Sequence, residues 1–294
     1  MLNNVRIAAV AVDTQPGNLS DNLRKIAYWT KKAAAAGANL ILFQELSLSG
    51  FIPNHPTGDH DKWVREALQV GRKIAEPVNG PAVRQLSQIA AESEVLISAG
   101  MFEDAGNVLH NTQVLVGGKG LLGSWRKMHV PMYEMPFYCG GGVPDVVDTP
   151  LGRVGVNICF DVLLPESTRL LAVKNAEIAL FPFAADPPPV TPQGWANWAS
   201  LPIRSRCAEN GIYGVACNYV GTVTCAGVSQ SFPGGGIIVD PRGQIMTEWT
   251  AASGEPGMLI SDLSAEVLRE ARAEPEYLYR FRRPELYGSL ANIS

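Results

Sequence analysis

The stretch that decides the fold is residues 154–166, VGVNICFDVLLPE, in which a short apolar run meets a cysteine and then a proline. Residues 154–158 have the composition of a buried strand, and Pro165 followed by Glu166 is typical of the first turn of a helix. Cys159 therefore lies where a strand turns into a helix. Backbone N–H groups converge at such a turn, which predicts a lowered thiol pKa and donors for an oxyanion. A small buried cysteine is the alternative that this segment alone leaves open.

Two other strand ends carry charged residues. Residues 40–43 are apolar and read as a buried strand, and Glu45 follows them closely. A second short strand, residues 122–126, leads to Lys127. Taken singly, these residues would be an edge carboxylate and a solvated cation, but α/β sheets place their chemistry at strand ends. Together with Cys159 they form a plausible covalent catalytic set of nucleophile, proton carrier and oxyanion stabiliser.

Strand-like and helix-like segments alternate along the chain, which predicts an α/β fold with covered sheets. No linker-like break divides it, so residues 1–294 are predicted to form a single domain. The predicted strands are residues 5–12, 40–43, 95–100, 113–116, 154–158, 178–181, 212–216, 236–239 and 258–261. The predicted helices are residues 18–36, 62–74, 81–93, 165–175, 195–210 and 264–273. Gly37 and Ser264 are predicted helix caps.

Composition narrows the function classes. The net charge of −4 gives no reason to expect nucleic acid or a membrane surface as a partner. The five cysteines show no paired spacing, which predicts reduced thiols and a cytoplasmic location. The four histidines are scattered and the glycine runs lack a phosphate-binding context, so neither a metal nor a cofactor is predicted. No signal peptide and no membrane-spanning segment are expected.

The ordered motifs resemble those of the carbon–nitrogen hydrolases, the nitrilase superfamily, over nearly the whole chain. The matching segments are residues 43–51 around Glu45, 126–131 around Lys127, 157–166 around Cys159, 204–210 with Asn218, 236–243 and 283–287. The resemblance implies a four-layer α-β-β-α sandwich. It also implies that Cys159 is the nucleophile, that Glu45 is the base, and that Lys127 and the Phe160 backbone N–H stabilise the oxyanion. Glu134 would be the second glutamate, which orients Lys127 and the substrate amino group.

The same resemblance implies a homo-oligomer, most simply a two-fold dimer. In the family, C-terminal tails of this kind are buried against a partner, so residues 275–294 are expected to pack on the partner subunit. The tail mixes aromatic residues with arginine, as interface cores do.

Departures from the family pattern bear on the substrate. Gln44 stands where the family has proline, and it is expected to affect substrate more than catalysis. Phe160-Asp161 is closer to the amidase branches than to nitrilases. Leu163 and Leu164 are apolar where members that bind carboxylate substrates carry basic residues. A small, uncharged amide is therefore the expected substrate. The candidate pocket walls are Tyr133, Phe137, Tyr138, Phe160, Phe183 and Trp195.

Several readings stay open at this point. The expected reaction is hydrolysis of a non-peptide C–N bond in a small amide, with release of ammonia or an amine. A nitrilase or N-carbamoyl amide hydrolase would use the same residues. An acyltransferase would differ only in passing the acyl group to an amine. A catalytically silent binding protein on the same fold is the alternative from another class, and the intact Glu45, Lys127 and Cys159 argue against it.

Overall fold

The computed structural model describes residue 3 and residues 5–55, 59–249 and 254–291. Residues 292–294, the end of the predicted C-terminal tail, lie outside the described residues. The strands are β1 (Val5–Ala11), β2 (Leu40–Phe43), β3 (Leu96–Asp104), β4 (Leu109–Gly117), β5 (Gly120–Arg126), β6 (Val147–Thr149), β7 (Gly152–Val156), β8 (Ile178–Phe183), β9 (Tyr213–Asn218), β10 (Val220–Cys225), β11 (Val228–Pro233), β12 (Gly236–Val239), β13 (Ile245–Trp249) and β14 (Gly257–Leu263). The α-helices are α1 (Leu19–Ala35), α2 (His60–Ile74), α3 (Pro81–Ser93), α4 (Pro165–Val173), α5 (Pro192–Asn210) and α6 (Ala265–Ala273).

Two mixed sheets lie at the centre of the molecule. The first has the order β14-β1-β2-β3-β4-β5 and the second the order β13-β12-β9-β8-β7-β6. In the first sheet β1, β2 and β3 are parallel, and in the second β7, β8 and β9 are parallel. The carboxyl ends of the parallel strands in each sheet therefore share one edge, which is where an α/β sheet gathers functional side chains.

The alternation of side chains explains why both faces of the first sheet are apolar. Ile7 and Ala9 on β1 belong to the core between the two sheets, together with residues of β7, β8 and β9. Ala8 and Val10 point the other way, into a core shared with α1 and α3. Helices α4 and α5 cover the outer face of the second sheet. The predicted four-layer α-β-β-α sandwich is confirmed.

Every predicted helix and strand is present. The ends of β2, α3 and β12 are as predicted, and each of the other elements has at least one shifted end. Strands β3 and β4 are longer than predicted because they carry buried polar residues, such as Glu103 and Thr112, that break the apolar pattern. Helix α5 begins at Pro192, earlier than predicted, and the Thr191 hydroxyl accepts from the Gly194 N–H at 3.0 Å. The hairpin β10–β11 and the short strands β6 and β13 were not predicted as elements.

The two predicted helix caps are confirmed. The Ser264 hydroxyl accepts from the Val267 N–H at the start of α6, at 3.3 Å. Gly37 follows the end of α1 and has φ 86, a left-handed conformation in which a residue without Cβ is favoured.

In the described ranges no helix combines the length and the apolar character needed to cross a membrane. All five cysteines are free thiols. Among the described residues, no group of three or more His, Cys, Asp or Glu side chains is arranged to hold a metal ion.

Candidate active site

The three residues singled out at strand ends come together. Glu45 follows β2, Lys127 follows β5 and Cys159 follows β7. Cys159 has φ 49 and Leu46, next to Glu45, has φ 53, which is the left-handed region that non-glycine residues avoid. Such strain persists where the surrounding structure enforces it, and it concentrates at functional sites. Two of the three chain segments thus turn sharply as they present their side chains.

Lys127 is the centre of the charge network. Its side chain is fully buried, and its ammonium Nζ lies 2.9 Å from Glu45 Oε1 and 2.7 Å from Glu134 Oε2. Burial by itself lowers the pKa of Lys127, but the charges of Glu134 and Glu45 outweigh it and hold that pKa well above its usual value. The structure therefore places a permanent positive charge beside Cys159. A buried ammonium of this kind is stable only because both carboxylates pair with it.

Glu45 is anchored through one carboxylate oxygen, and its other carboxylate oxygen is unpaired. Its Oε1 accepts from Lys127 and also from Asn111 Nδ2, at 2.6 Å. Its Oε2 is buried and has no hydrogen-bond partner among the described residues. An unpaired buried carboxylate oxygen is costly, so its presence points to a proton or substrate that this oxygen serves. The sequence did not single out Asn111, because a polar residue within a strand carries no signal of its own.

The pKa of the Cys159 thiol differs from the sequence expectation. Burial and the negative charge of Glu45 raise its pKa well above the usual value, although Lys127 acts in the opposite direction. The predicted lowering is therefore wrong for the resting protein, because the pattern reported the helical turn and not the adjacent carboxylates. The thiol is protonated at neutral pH.

The backbone beside Cys159 offers a hydrogen-bond donor. No described residue accepts a hydrogen bond from the Phe160 N–H, which leaves that donor available.

Glu134 is the second carboxylate that pairs with Lys127. Its Oε1 accepts from Asn54 Nδ2 at 3.4 Å and its Oε2 accepts from Lys127. Burial raises the pKa of Glu134 to about 7, and the negative charge of Glu45 acts in the same direction while Lys127 opposes it. Glu134 therefore exchanges its proton near neutral pH. The proximity of Glu134 to Lys127 that the resemblance implied is present.

This raised pKa links stability to pH. A carboxyl group that binds its proton more tightly when folded stabilises the fold below its unfolded pKa of about 4.3, and the contribution is lost as pH rises through about 7. We expect the wild type to lose on the order of 3 kcal/mol relative to Glu134→Gln between pH 4 and pH 8. Urea unfolding of both proteins across that pH range measures the difference. Parallel pH profiles would contradict the raised pKa.

Asp161 joins two of the segments that carry the site. It is buried, and its carboxylate accepts from the backbone N–H groups of Ile158 at 3.1 Å, Met128 at 3.2 Å and His129 at 2.8 Å. The His129 ring nitrogen Nδ1 lies 2.9 Å from the same carboxylate. One side chain thus ties the segment after Lys127 to the turn before Cys159. In the sequence Asp161 is visible only as part of the motif around Cys159, and this positioning role is not apparent.

The expectation for Gln44 is wrong. Its side chain is buried, its Oε1 accepts from the Val12 N–H at 3.1 Å, and its Nε2 donates to the Val12 carbonyl at 2.6 Å. Both polar atoms are therefore used to join the ends of β1 and β2. Gln44 supports the strand end that carries Glu45 and has no free group for a substrate.

The six aromatic residues proposed as pocket walls divide into two groups. Phe183 and Trp195 are fully buried and pack edge to face at 5.6 Å in the core between the sheets and α5. Phe137 and Tyr138 are also buried, in a cluster with Trp63. Burial does not separate pocket wall from core here, since Glu45 and Lys127 are buried as well, so these four also remain predicted contacts of the substrate.

The other two aromatics are exposed. Phe160, next to Cys159, is 37% exposed, and Tyr133, next to Glu134, is 46% exposed. Their side chains are accessible beside residues of the site. They remain predicted contacts of the substrate.

Comparisons with known proteins identify the family of this chain. The family model described as carbon–nitrogen hydrolase matches residues 6–273. A deaminated glutathione amidase of Mus musculus is 30% identical, with 97% of this chain and 86% of the relative covered. A nitrilase of Pyrococcus abyssi is 30% identical, with 96% and 99% covered.

A solved structure supports the fold. The carbon–nitrogen hydrolase from Helicobacter pylori G27 superposes with a TM-score of 0.79 at 21% identity, with 99% of both chains covered. Since the family model spans most of the chain and both relatives match over nearly all of it, the chain belongs to the carbon–nitrogen hydrolase family, which confirms the family and the enzyme class that its sequence predicts.

Proposed function

We propose that the protein hydrolyses the C–N bond of a small amide through a thioester on Cys159, with Glu45 and Lys127 as the other catalytic residues. The observation that carries the proposal is the free, buried Oε2 of Glu45, whose other oxygen is anchored by Lys127. The negative charge of this carboxylate acts directly on the Cys159 thiol. A base of this kind is needed because the thiol is protonated at rest.

The first half of the reaction forms the acyl-enzyme. Glu45 takes the thiol proton as Cys159 Sγ attacks the carbonyl carbon, and the carbonyl oxygen becomes an oxyanion. The Lys127 ammonium and the free Phe160 N–H stabilise that oxyanion. The tetrahedral intermediate then collapses. The C–N bond breaks, the nitrogen takes the proton from Glu45, and ammonia or an amine leaves a thioester on Cys159.

The second half consumes water. Glu45 takes a proton from a water molecule as the water oxygen attacks the thioester carbon. The Lys127 ammonium and the Phe160 N–H stabilise the new oxyanion. Collapse breaks the C–S bond, and the proton on Glu45 returns to the sulfur. The product is the carboxylic acid. Glu134 takes no part in these bond changes; we assign it the role of holding Lys127 in place through the 2.7 Å contact.

The substrate class follows from the cysteine loop. The guanidinium of Arg206, which contacts the cysteine loop, donates to the backbone carbonyls of Val162 and Leu163 and pairs with Glu209, so it is not free to bind a carboxylate. We expect amides without a carboxylate to have at least about tenfold higher kcat/KM than N-carbamoyl amino acids of similar size. Ammonia release over amides, nitriles, carbamoyl compounds and hydrazides measures this.

The outcomes of that panel separate the alternatives. A carboxylate-bearing carbamoyl compound at the head of the panel would overturn this account of the cysteine loop, and a nitrile at the head would favour a nitrilase. Addition of hydroxylamine as a competing acceptor tests acyl transfer to an amine. No release from any compound, with no thiol-directed labelling of Cys159, would favour the silent binding protein.

We also propose that the protein is a homodimer in which the C-terminal tail contacts the partner. Tyr277 is hydrogen-bonded through its hydroxyl to the Asn210 carbonyl at 3.0 Å, so the tail begins on its own subunit. Further along, Phe281 is 65% exposed, Leu286 62% and Leu290 74%. Apolar side chains exposed in one segment favour burial against another surface.

Light scattering tests this assembly. The intact chain is expected to have the mass of a dimer. A chain ending at Glu274 is expected to have the mass of a smaller assembly, because the apolar tail is missing. An intact protein that is monomeric, or a truncated chain that is still a dimer, would refute the role of the tail.

The free thiols of all five cysteines favour a reducing compartment, and we propose a cytoplasmic location on that basis.

A further inference from the structure

A chain of polar side chains leads away from Glu134. Asn54 Nδ2 donates to Glu134 at 3.4 Å, and the Asn54 backbone N–H donates to Gln230 Oε1 at 2.9 Å. Gln230 Nε2 in turn donates to Asp186 Oδ2 at 3.2 Å, and His55 Nε2 lies 2.8 Å from the same oxygen. The reaction proposed above uses Glu134 but none of the four residues beyond it.

This chain runs from the interior to the surface. Glu134 is 3% exposed and Gln230 is 5% exposed. The side chain of Asp186 is 22% exposed and that of His55 is 54% exposed. Asp186 is therefore the first carboxylate on the path from solvent to the buried Glu134.

The backbone also connects Asp186 to a residue that contacts the nucleophile. The Ala184 backbone is hydrogen-bonded to the Cys159 thiol. The next residue, Ala185, is fixed at both polar atoms, because its N–H donates to Asn218 Oδ1 at 2.9 Å and its carbonyl accepts from Asn218 Nδ2 at 2.8 Å. Asp186 follows directly. It thus lies on a rigid segment that is anchored to the Cys159 side of the site, while Gln230 links it to the Glu134 side.

The Asp186 carboxylate has one oxygen to spare. The contacts with His55 and Gln230 both use Oδ2, and among the described residues none donates to Oδ1. No lysine or arginine of the described ranges forms an ion pair with it. A part-exposed carboxylate with a free oxygen and no permanent cation beside it is suited to bind an ammonium group.

We propose that Asp186 recognises a protonated amine at the far end of the amide substrate, with Gln230 and His55 holding the carboxylate in place. This rests on the proposed function and narrows its substrate class to amino amides. It also revises the sequence expectation of an uncharged substrate. The exclusion of carboxylate-bearing substrates is kept, since a carboxylate near Asp186 would be repelled.

Amides of increasing chain length that end in an ammonium group, compared with alkyl amides of equal length, test the proposal. At the best length, the wild type is expected to favour the ammonium compound by about tenfold or more in kcat/KM, mainly through KM. Asp186→Asn is expected to remove this preference while changing kcat/KM for the alkyl amide by less than about threefold. Asp148→Asn, which removes an equal charge at an exposed position, serves as the matched control and is expected to keep the preference.

Two kinetic results would overturn the proposal. One is a wild type that hydrolyses alkyl amides as well as ammonium amides at every length. The other is an Asp186→Asn protein that loses activity equally on both, which would make Asp186 structural. Calorimetric binding of the same compounds to Cys159→Ala needs no turnover, so it separates this proposal from the proposed hydrolysis. Equal binding, or binding of neither compound, also overturns it.

Discussion

Replacing Cys159 with alanine is expected to abolish amide hydrolysis while leaving the fold intact. The substitution removes only the sulfur that forms the thioester, and alanine keeps the Cβ that already occupies the strained turn at φ 49. Loss of a buried sulfur leaves a small cavity, so the expected change in stability is within about 1–2 kcal/mol. Ammonia release measures the activity, and circular dichroism with thermal unfolding measures the fold.

Cys225→Ala provides the matched control. Its thiol is also buried, at 6% exposed, but it lies on the hairpin β10–β11 and not at a strand end that carries a proposed catalytic residue. This variant is expected to keep its activity. Turnover by Cys159→Ala above background, with the control unaffected, would show that another group attacks the substrate.

Replacing Lys127 with alanine is expected to lower kcat by at least about 10²-fold, as loss of an oxyanion donor typically does. Arginine is not expected to restore it. The ammonium occupies a fully buried position between two carboxylates, at 2.9 and 2.7 Å, where the planar guanidinium fork has no room. Steady-state kinetics of both variants measure the effect. The comparison requires that each variant has a circular dichroism spectrum close to that of the wild type.

A second variant keeps this test interpretable. Removing Lys127 alone leaves Glu45 and Glu134 buried without their cation, which costs about 3–5 kcal/mol and threatens folding. The double variant Lys127→Met with Glu134→Gln removes one of the two carboxylate charges and is expected to be folded but equally inactive. Near-wild-type activity of Lys127→Arg would instead show that any cation at this position is sufficient.

The sequence was informative about the site because three short strands, two of them apolar, lead to chemically active residues. Strand β2 is wholly apolar and Glu45 follows it, so both the strand and its functional end were visible. The turn at Cys159 was visible in the same way. The contacts of Asp161 and Asn111 were not, because they join segments distant in sequence and depend on side-chain direction.

Other features could not be read from the sequence for physical reasons. The pKa of Cys159 depends on burial and on the charges of two distant strand ends, which the local turn does not report. The hairpin β10–β11 alternates small polar and apolar residues and lies outside both large sheets, so it lacked a core-like pattern. It nevertheless supplies Gln230, which holds Asp186.

The most direct test of the account is the mass of the protein during turnover. Acid quenching in the presence of excess amide, followed by proteolysis and mass spectrometry, is expected to show the acyl group on Cys159 as a thioester that hydroxylamine removes. The adduct is expected to be absent from Cys159→Ala and from wild type that has exhausted its substrate. An acyl group mapped to Cys139, Cys207, Cys217 or Cys225 would contradict the assignment of Cys159 as the nucleophile.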